Sequence, residues 1–352
     1  MSISTATRNL LSLLMITSIV FNASAQKPKL NGYIKGINDK PIIFWYSLKG
    51  ERYKDTVYAK NDHFVYFPKP SDEGSISIFI SAPRFTSFWY ENADIQLSGH
   101  VEKPYALVVK GGSENNILTL YNTTIYWPFV DRIAKASNAE FMKAREDKHK
   151  ATLDFIAKYP NAKTSAELLE GETSYSNDDI KIYEKLYAGF SPSVKKSLNG
   201  VEVMKRINII KNQPVIGKKA IDFTLADTSG KKVTLSSFQG KYVLLDFWGH
   251  WCSPCIRAFP ELVKIHEQYP DKLVMIGVAA EHSDDKSKWI QAINKGNAKW
   301  IQVSELQGDH GELSTRYNIV EWPTYFLLDP NGIVVGRVNH VEELKKVLEL
   351  VK

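Results

Sequence analysis

Cysteine is almost missing: the 352-residue chain has only two, Cys252 and Cys255, three positions apart. A framework of stapling disulfides is therefore excluded, and a bridge closing so small a loop would add little to stability. An excess of one charge is also lacking. Lys and Arg number 45 against 39 Asp and Glu, a net of +6, and the signs are mixed, as in KAREDKHK at 143–150. No basic stripe carries interleaved aromatics, which argues against nucleic acid as a partner. Long apolar runs are absent as well. The stretch Leu10 to Phe21 (LLSLLMITSIVF) falls short of the ~20 apolar residues a membrane core asks for, and no other segment could span one. Neither a second C-x-x-C nor an H-x-H pair follows to complete a zinc shell. Covalent haem attachment needs histidine directly after the second cysteine, where this chain has Ile256. The histidines form no cluster, and no Gly-rich phosphate loop occurs.

What is present begins with an address. Arg8 precedes the short apolar stretch, and Ala23-Ser24-Ala25 makes an A-x-A cleavage site before Gln26. Residues 1–25 are expected to be a cleaved signal peptide, which puts the mature chain in the periplasm or cell envelope. No cysteine follows the apolar stretch to take a lipid. Export means an oxidising compartment, where two lone, adjacent cysteines suit reaction better than stapling.

The composition, 43% hydrophobic and 24% charged, is ordinary for globular domains. A single core rarely grows past ~250–300 residues, so two domains are expected, three at most. Residues 26–112 alternate short apolar or aromatic runs, such as PIIFWYSL (41–48), HFVYF (63–67) and SISIFI (75–80), with turn clusters such as GINDKP. This reads as an all-β, sandwich-like domain. Residues 113–213 read as a helical connector, with apolar residues at helical spacing in 140–159 and 178–190. From 214 to 352 the pattern becomes α/β. A hairpin turns at Ser229-Gly230, and buried strands follow at KYVLLDFW (241–248) and LVMIGVAA (273–280). Helices are expected after the cysteines, over 283–294 and at the C-terminal end. TYFLLD and IVVGRV pair across Pro330-Asn331-Gly332.

The segment DFWGHWCSPC (246–255) runs out of a buried strand and into a helix. C-x-x-C at such a place suits thiol–disulfide exchange. One helical turn brings the sulfurs together, and the first sits where unpaired N–H groups favour a thiolate. Cys252 is then the attacking nucleophile and Cys255 the resolving thiol. Structural zinc and an inert bridge are the alternatives.

YVLLDFWGHWCSPCIRAFP resembles the active-site region of thioredoxin, and more closely the exported TlpA/ResA-like branch of the redoxin family. PVIGKKAIDFTLADTSGKKVTLSSFQGK resembles that branch's N-terminal hairpin. Pro260, eight residues after Cys252, matches a helix-kinking proline, and Trp322-Pro323-Thr324 before YFLLD matches a cis-proline loop. The resemblance implies a mixed sheet with helices on both faces and places Pro323 beside the sulfurs. A cis X–Pro bond costs only ~0.5–1 kcal/mol over trans. Because Pro323 has no N–H, neighbouring backbone can bond an extended substrate strand. Trp251, Trp322, Pro323 and Thr324 are the expected substrate-binding residues; Trp248 is read as core. Asp246 matches thioredoxin's buried aspartate and would move protons for Cys255. Where many branch members carry glutamate, three residues after the second cysteine, this chain has Ala258. Asp246 is therefore expected to act alone. His250 is either a modulator of Cys252 or a spectator.

The leading expectation is an exported thiol–disulfide reductase acting on disulfide-containing proteins, with no cofactor beyond the Cys252–Cys255 couple. Cytochrome c maturation is one setting the resemblance suggests. Ser253-Pro254 is close to the thioredoxin Gly-Pro, which points to a poise nearer about −270 mV than about −120 mV. Such a reductant would draw electrons from a membrane thiol carrier. A thiol peroxidase is the second expectation. Peroxiredoxins place Pro and Thr seven and three residues before the reactive cysteine, positions held here by Leu245 and Gly249 for Cys252. The third makes residues 27–112, which resemble a β-domain found ahead of exported redoxin domains, a partner- or glycan-selecting module.

Overall fold

The computed structural model describes residues 27–72, 74–80, 86–175 and 180–351, so the leader expected at residues 1–25 lies outside the described residues. The chain forms two compact units, one up to Thr119 and one from Leu120.

In the first unit the strands are β1 (Leu30–Lys35), β2 (Pro41–Leu48), β3 (Glu51–Tyr58), β4 (His63–Tyr66), β5 (Ser75–Phe79), β6 (Thr86–Trp89), β7 (Ile95–His100) and β8 (Val108–Lys110). They form two four-stranded sheets, in orders β4-β1-β7-β8 and β3-β2-β5-β6. Alternation decides which face is buried: Ile42, Phe44 and Tyr46 of β2 point inward while Pro41 and Trp45 point outward. Leu30, Ile34, Phe44, Ile78, Phe88 and Leu97 share one core between the sheets. Phe44 of one sheet stacks on Tyr66 of the other at 3.9 Å, so the unit is a β-sandwich. Helix α1 (Ser113–Tyr121) is held at its start by the Glu91 carboxylate, which accepts from the N–H groups of Ser113, Glu114 and Asn115 at 2.9–3.2 Å.

The second unit opens with helices. A five-residue π-turn (Asn122–Tyr126) leads into α2 (Trp127–Ile133), followed by α3 (Asn138–Lys158), α4 (Lys163–Tyr175), α5 (Ile180–Gly189), α6 (Pro192–Lys195) and α7 (Leu198–Asn212). Ser137 and Glu140 start α3 with a capping box. Ile156, Leu169, Tyr183, Val203 and Ile207 form these helices' own core. Polar ties join α7 and the residue after it to the C-terminal part of the same unit. Gln213 Oε1 accepts from Arg337 Nη1 at 2.7 Å and from Asn318 Nδ2 at 3.1 Å, and Arg206 donates to Asn318 Oδ1 at 2.8 Å.

The rest is a seven-stranded sheet built from β9 (Thr224–Asp227), β10 (Lys232–Thr234), β11 (Tyr242–Trp248), β12 (Leu273–Ala279), β13 (Ile301–Ser304), β14 (Thr324–Leu328) and β15 (Val334–Val338). Its order is β10-β9-β13-β12-β11-β14-β15, with β11, β12 and β13 parallel and the flanking strands antiparallel. The helices are α8 (Ser253–Gln268), α9 (Lys286–Lys295), α10 (Glu312–Arg316) and α11 (Val341–Leu348). One face of the sheet, with Leu244, Trp248, Met275 and Tyr325, packs against α8, α9 and α11 through Phe259, Leu262, Trp289 and Leu344. The other, with Leu245, Phe247, Ile276 and Phe326, packs beneath Leu313 and Tyr317. This mixed sheet with helices on both faces is the thioredoxin-like architecture the resemblance implies.

Candidate active site

Strand β11 is buried almost throughout because both its faces are covered. Its alternation sorts the side chains: Leu245 and Phe247 enter the core on the far side, while Leu244 and Trp248 enter the one beneath α8. Asp246, in phase with Leu244 and Trp248, therefore lies on the face that carries both cysteines.

The chain leaves β11 through Gly249, His250 and Trp251. Gly249 is needed for space, since a Cβ there would lie 2.7 Å from the Trp251 ring. Cys252 N–H donates to Gly249 O at 3.0 Å, closing a turn. Cys252 is then the N-cap of α8, and its Sγ accepts from Cys255 N–H at 3.2 Å. The helix thus aims an otherwise unpaired N–H at this sulfur, an arrangement that stabilises a thiolate in the reduced state. The two sulfurs are bonded to each other, with Cα atoms 5.3 Å apart. Both are enclosed, Cys252 at 4% exposure and Cys255 at 1%.

The end of β12 fixes the loop before Cys252. Glu281 is fully buried; its Oε1 accepts from His250 N–H at 2.7 Å and its Oε2 meets His250 Nδ1 at 2.5 Å. Trp251 donates its indole N–H to Ala280 O at 3.0 Å while keeping 44% of its surface exposed. Glu281 carries no motif in the sequence. The only signal for it is an acidic residue closing the apolar run LVMIGVAA, and its pairing with His250 becomes visible only in three dimensions.

The Trp322–Pro323 peptide is cis. Trp322 packs against the cores on both faces of the sheet, and its ring meets that of Trp251 edge-to-face at 5.5 Å. The two tryptophans thereby bring the proline loop to the cysteine loop. Thr324 points inward instead: it is buried, and its hydroxyl donates to Glu321 O at 2.6 Å. Trp248 is core, its N–H donating to Gln302 Oε1 at 3.0 Å. Ala258 is buried on α8 and brings no charge.

Asp246 is 1% exposed, and neither carboxylate oxygen has a hydrogen-bond partner. Burial alone pushes its carboxyl up to about 8. Beside the cysteines, a groove of about 820 Å³ runs between α8 and α9, lined by Ile256, Phe259, Val263, Ala292 and a rim of lysines. Among the described residues no cluster of three or more His, Cys, Asp or Glu side chains could hold a metal ion.

Residues 216–337 match the AhpC/TSA family. The chain is 31% identical over 138 residues to the thioredoxin-like protein YneN of Bacillus subtilis, covering 38% of this chain and 79% of that one. It is 35% identical over 135 residues to the thiol-disulfide oxidoreductase ResA of Bacillus thuringiensis, covering 38% and 75%. The chain belongs to the ResA-like thiol–disulfide oxidoreductases. It is an enzyme of that thioredoxin-fold family, and the relationship lies in its C-terminal part. Among solved structures, it is similar to the thioredoxin domain of a thiol-disulfide oxidoreductase from Bacteroides vulgatus, at 31% identity, covering 39% of this chain and 99% of that one with a TM-score of 0.36.

Proposed function

We propose that this enzyme is an exported reductase of protein disulfides, working through Cys252 and Cys255 with Asp246 as the proton carrier. One observation carries the reading: a disulfide capping a helix, with an unpartnered carboxyl buried on the same face of the sheet. In the dithiol form the Cys252 thiolate attacks a substrate disulfide. A mixed disulfide forms, and the first substrate sulfur leaves as a thiolate that takes up a proton. Cys255 gives its proton to ionised Asp246 and attacks Cys252 Sγ, which releases the second substrate sulfur and closes the Cys252–Cys255 bond. Two electrons pass to the substrate, and no cofactor takes part. Burial lifts the Asp246 carboxyl to about 8, out of the usual carboxylate range, which suits it to take up and return a proton near neutral pH.

The reduced pair is regenerated by a dithiol carrier in the membrane, as an oxidising compartment requires. Trp251, Trp322 and Pro323 form the substrate side of the site. The inward hydroxyl of Thr324 leaves that residue only its backbone to offer. The sandwich up to Thr119 selects the partner, with Trp45 and Tyr58 exposed on its surface.

The test is a trap. With Cys255→Ala, a disulfide protein such as insulin should stay covalently joined to Cys252, and Cys252→Ala should trap nothing. Export is checked by N-terminal sequencing of the envelope form, expected to begin at Gln26. A midpoint potential above roughly −150 mV would reverse the direction of electron flow. The AhpC/TSA match keeps a peroxidase as the second reading, although Leu245 and Gly249 stand where its Pro and Thr belong. Stopped-flow oxidation by hydrogen peroxide no faster than that of free cysteine would dismiss it.

A further inference from the structure

The strand register lines up four residues in one row across the sheet. Gln302 of β13 pairs with Gly277 of β12, Gly277 with Asp246 of β11, and Asp246 with Tyr325 of β14. Cross-strand partners point to the same face, and this is the face beneath α8, where Tyr325 shares a core with both cysteines. The row is polar inside an otherwise apolar layer. Tyr325 Oη, Gln302 Nε2 and both Asp246 oxygens are buried without hydrogen-bond partners. Gly277 leaves the space the row needs: a Cβ there would sit 2.2 Å from Gln302 Oε1, the atom that accepts from Trp248, so the end of the Gln302 side chain reaches over this glycine on the side of the Asp246 strand. Two unused donors thus share a row with one unpartnered carboxylate, and an orphaned buried donor is costly unless some state of the protein uses it.

We infer that Tyr325 and Gln302 are positioning residues for Asp246, turning their O–H and N–H to its carboxylate when Cys255 transfers its proton there. This rests on the assignment of Asp246 as proton carrier. Once engaged, both donors stabilise the ionised carboxylate and so oppose the rise that burial imposes on Asp246. The other titratable groups on this face are Cys252, Cys255, Tyr242 at the start of β11, Tyr269 just after α8 and, towards the end of α8, His266, whose ring meets Trp300 at 6.0 Å. β12 and α11 present Met275, Ala279, Leu344 and Leu348, which do not titrate. The Tyr325 phenol is raised first by burial and then by the charge of Asp246, consistent with their adjacency.

The experiment follows insulin-disulfide reduction by the full chain from pH 6 to 9.5 for the wild type, Tyr325→Phe, Gln302→Met and Asp246→Asn. The wild-type rate should rise with a midpoint near Asp246's, and Asp246→Asn should abolish that limb. Tyr325→Phe and Gln302→Met should each move the midpoint upward by about one unit, a tenfold loss of Asp246 acidity, with KM unchanged. Tyr325→Phe removes only an orphan oxygen, so its melting temperature should hold or rise, separating tuning from packing. An unmoved midpoint in both variants, with the limb still lost in Asp246→Asn, overturns the inference alone. A limb that survives Asp246→Asn overturns the proton-carrier assignment, and the inference with it.

Discussion

Replacing Asp246 with asparagine should change how stability depends on pH, by an amount that follows from its burial. The native carboxyl is raised from 3.8 to about 8. Below pH 3.8 it is neutral in the folded and unfolded chain alike. Between 3.8 and about 8 the folded chain keeps a proton that the unfolded chain releases, so stability falls as pH rises, by about 1.4 kcal/mol per unit. By pH 7 the 3.2 units above 3.8 amount to about 4 kcal/mol. Asparagine does not titrate, so its variant lacks this slope. The stability difference between the two proteins should therefore shift in the variant's favour by about 3 kcal/mol from pH 5 to pH 7. The assay is urea unfolding of both oxidised full-length proteins at pH 5, 6 and 7, comparing midpoints at constant m. Stabilities that run parallel across that range would refute the idea that an isolated carboxyl is held protonated beneath α8.

Three further outcomes are expected at the site. Glu281→Ala strands two groups of His250 and should cost about 3 kcal/mol and slow the attack by Cys252, while Glu281→Gln, which keeps an acceptor for the His250 N–H, should lose less; thermal melts and turnover check both. Gly277→Ala drives a methyl into Gln302, breaks its bond with Trp248 and should cost about 1–3 kcal/mol in denaturant unfolding. Trp251→Ala should raise KM for protein disulfides roughly tenfold, the value of one exposed aromatic anchor, while leaving turnover of a small aromatic disulfide near wild type.

How much of the fold and site was legible in the sequence depended on whether the signal was local. The run YVLLDFW and the motif CSPC announce a buried strand feeding a helix, and both stand where expected. So does the hairpin across Pro330-Asn331-Gly332, and the cis bond at Pro323 stands where the family resemblance implied it. Strand β1 was harder to read. Its Gly32 looks like a breaker, yet the Phe64 ring occupies the space a Cβ would take, and β1 pairs in parallel with β7, far along the chain. Helix α7 hides behind Gly200, whose missing side chain lets the Val194 carbonyl approach to what would be 2.1 Å from a Cβ. The Glu281–His250 clamp spans 31 residues and the Gln302–Asp246–Tyr325 row spans four strands. Register creates these groupings, and register has no local signature.

The same register explains why a carboxylate can sit in this strand at all. A strand alternates strictly, so an acid one position earlier or later, at Leu245 or Phe247, would face the core under Tyr317 with the sheet between it and the cysteines. There it would bear the same desolvation cost with no thiol to exchange a proton with. At 246 it keeps that cost but shares a layer with Cys255, across one strand from a hydroxyl and two from an amide. With alanine at 258, α8 supplies no second acid at that position. On the proposed reading the proton route to Cys255 comes from the sheet, and of the two faces of β11 only the one holding Asp246 opens onto the sulfurs.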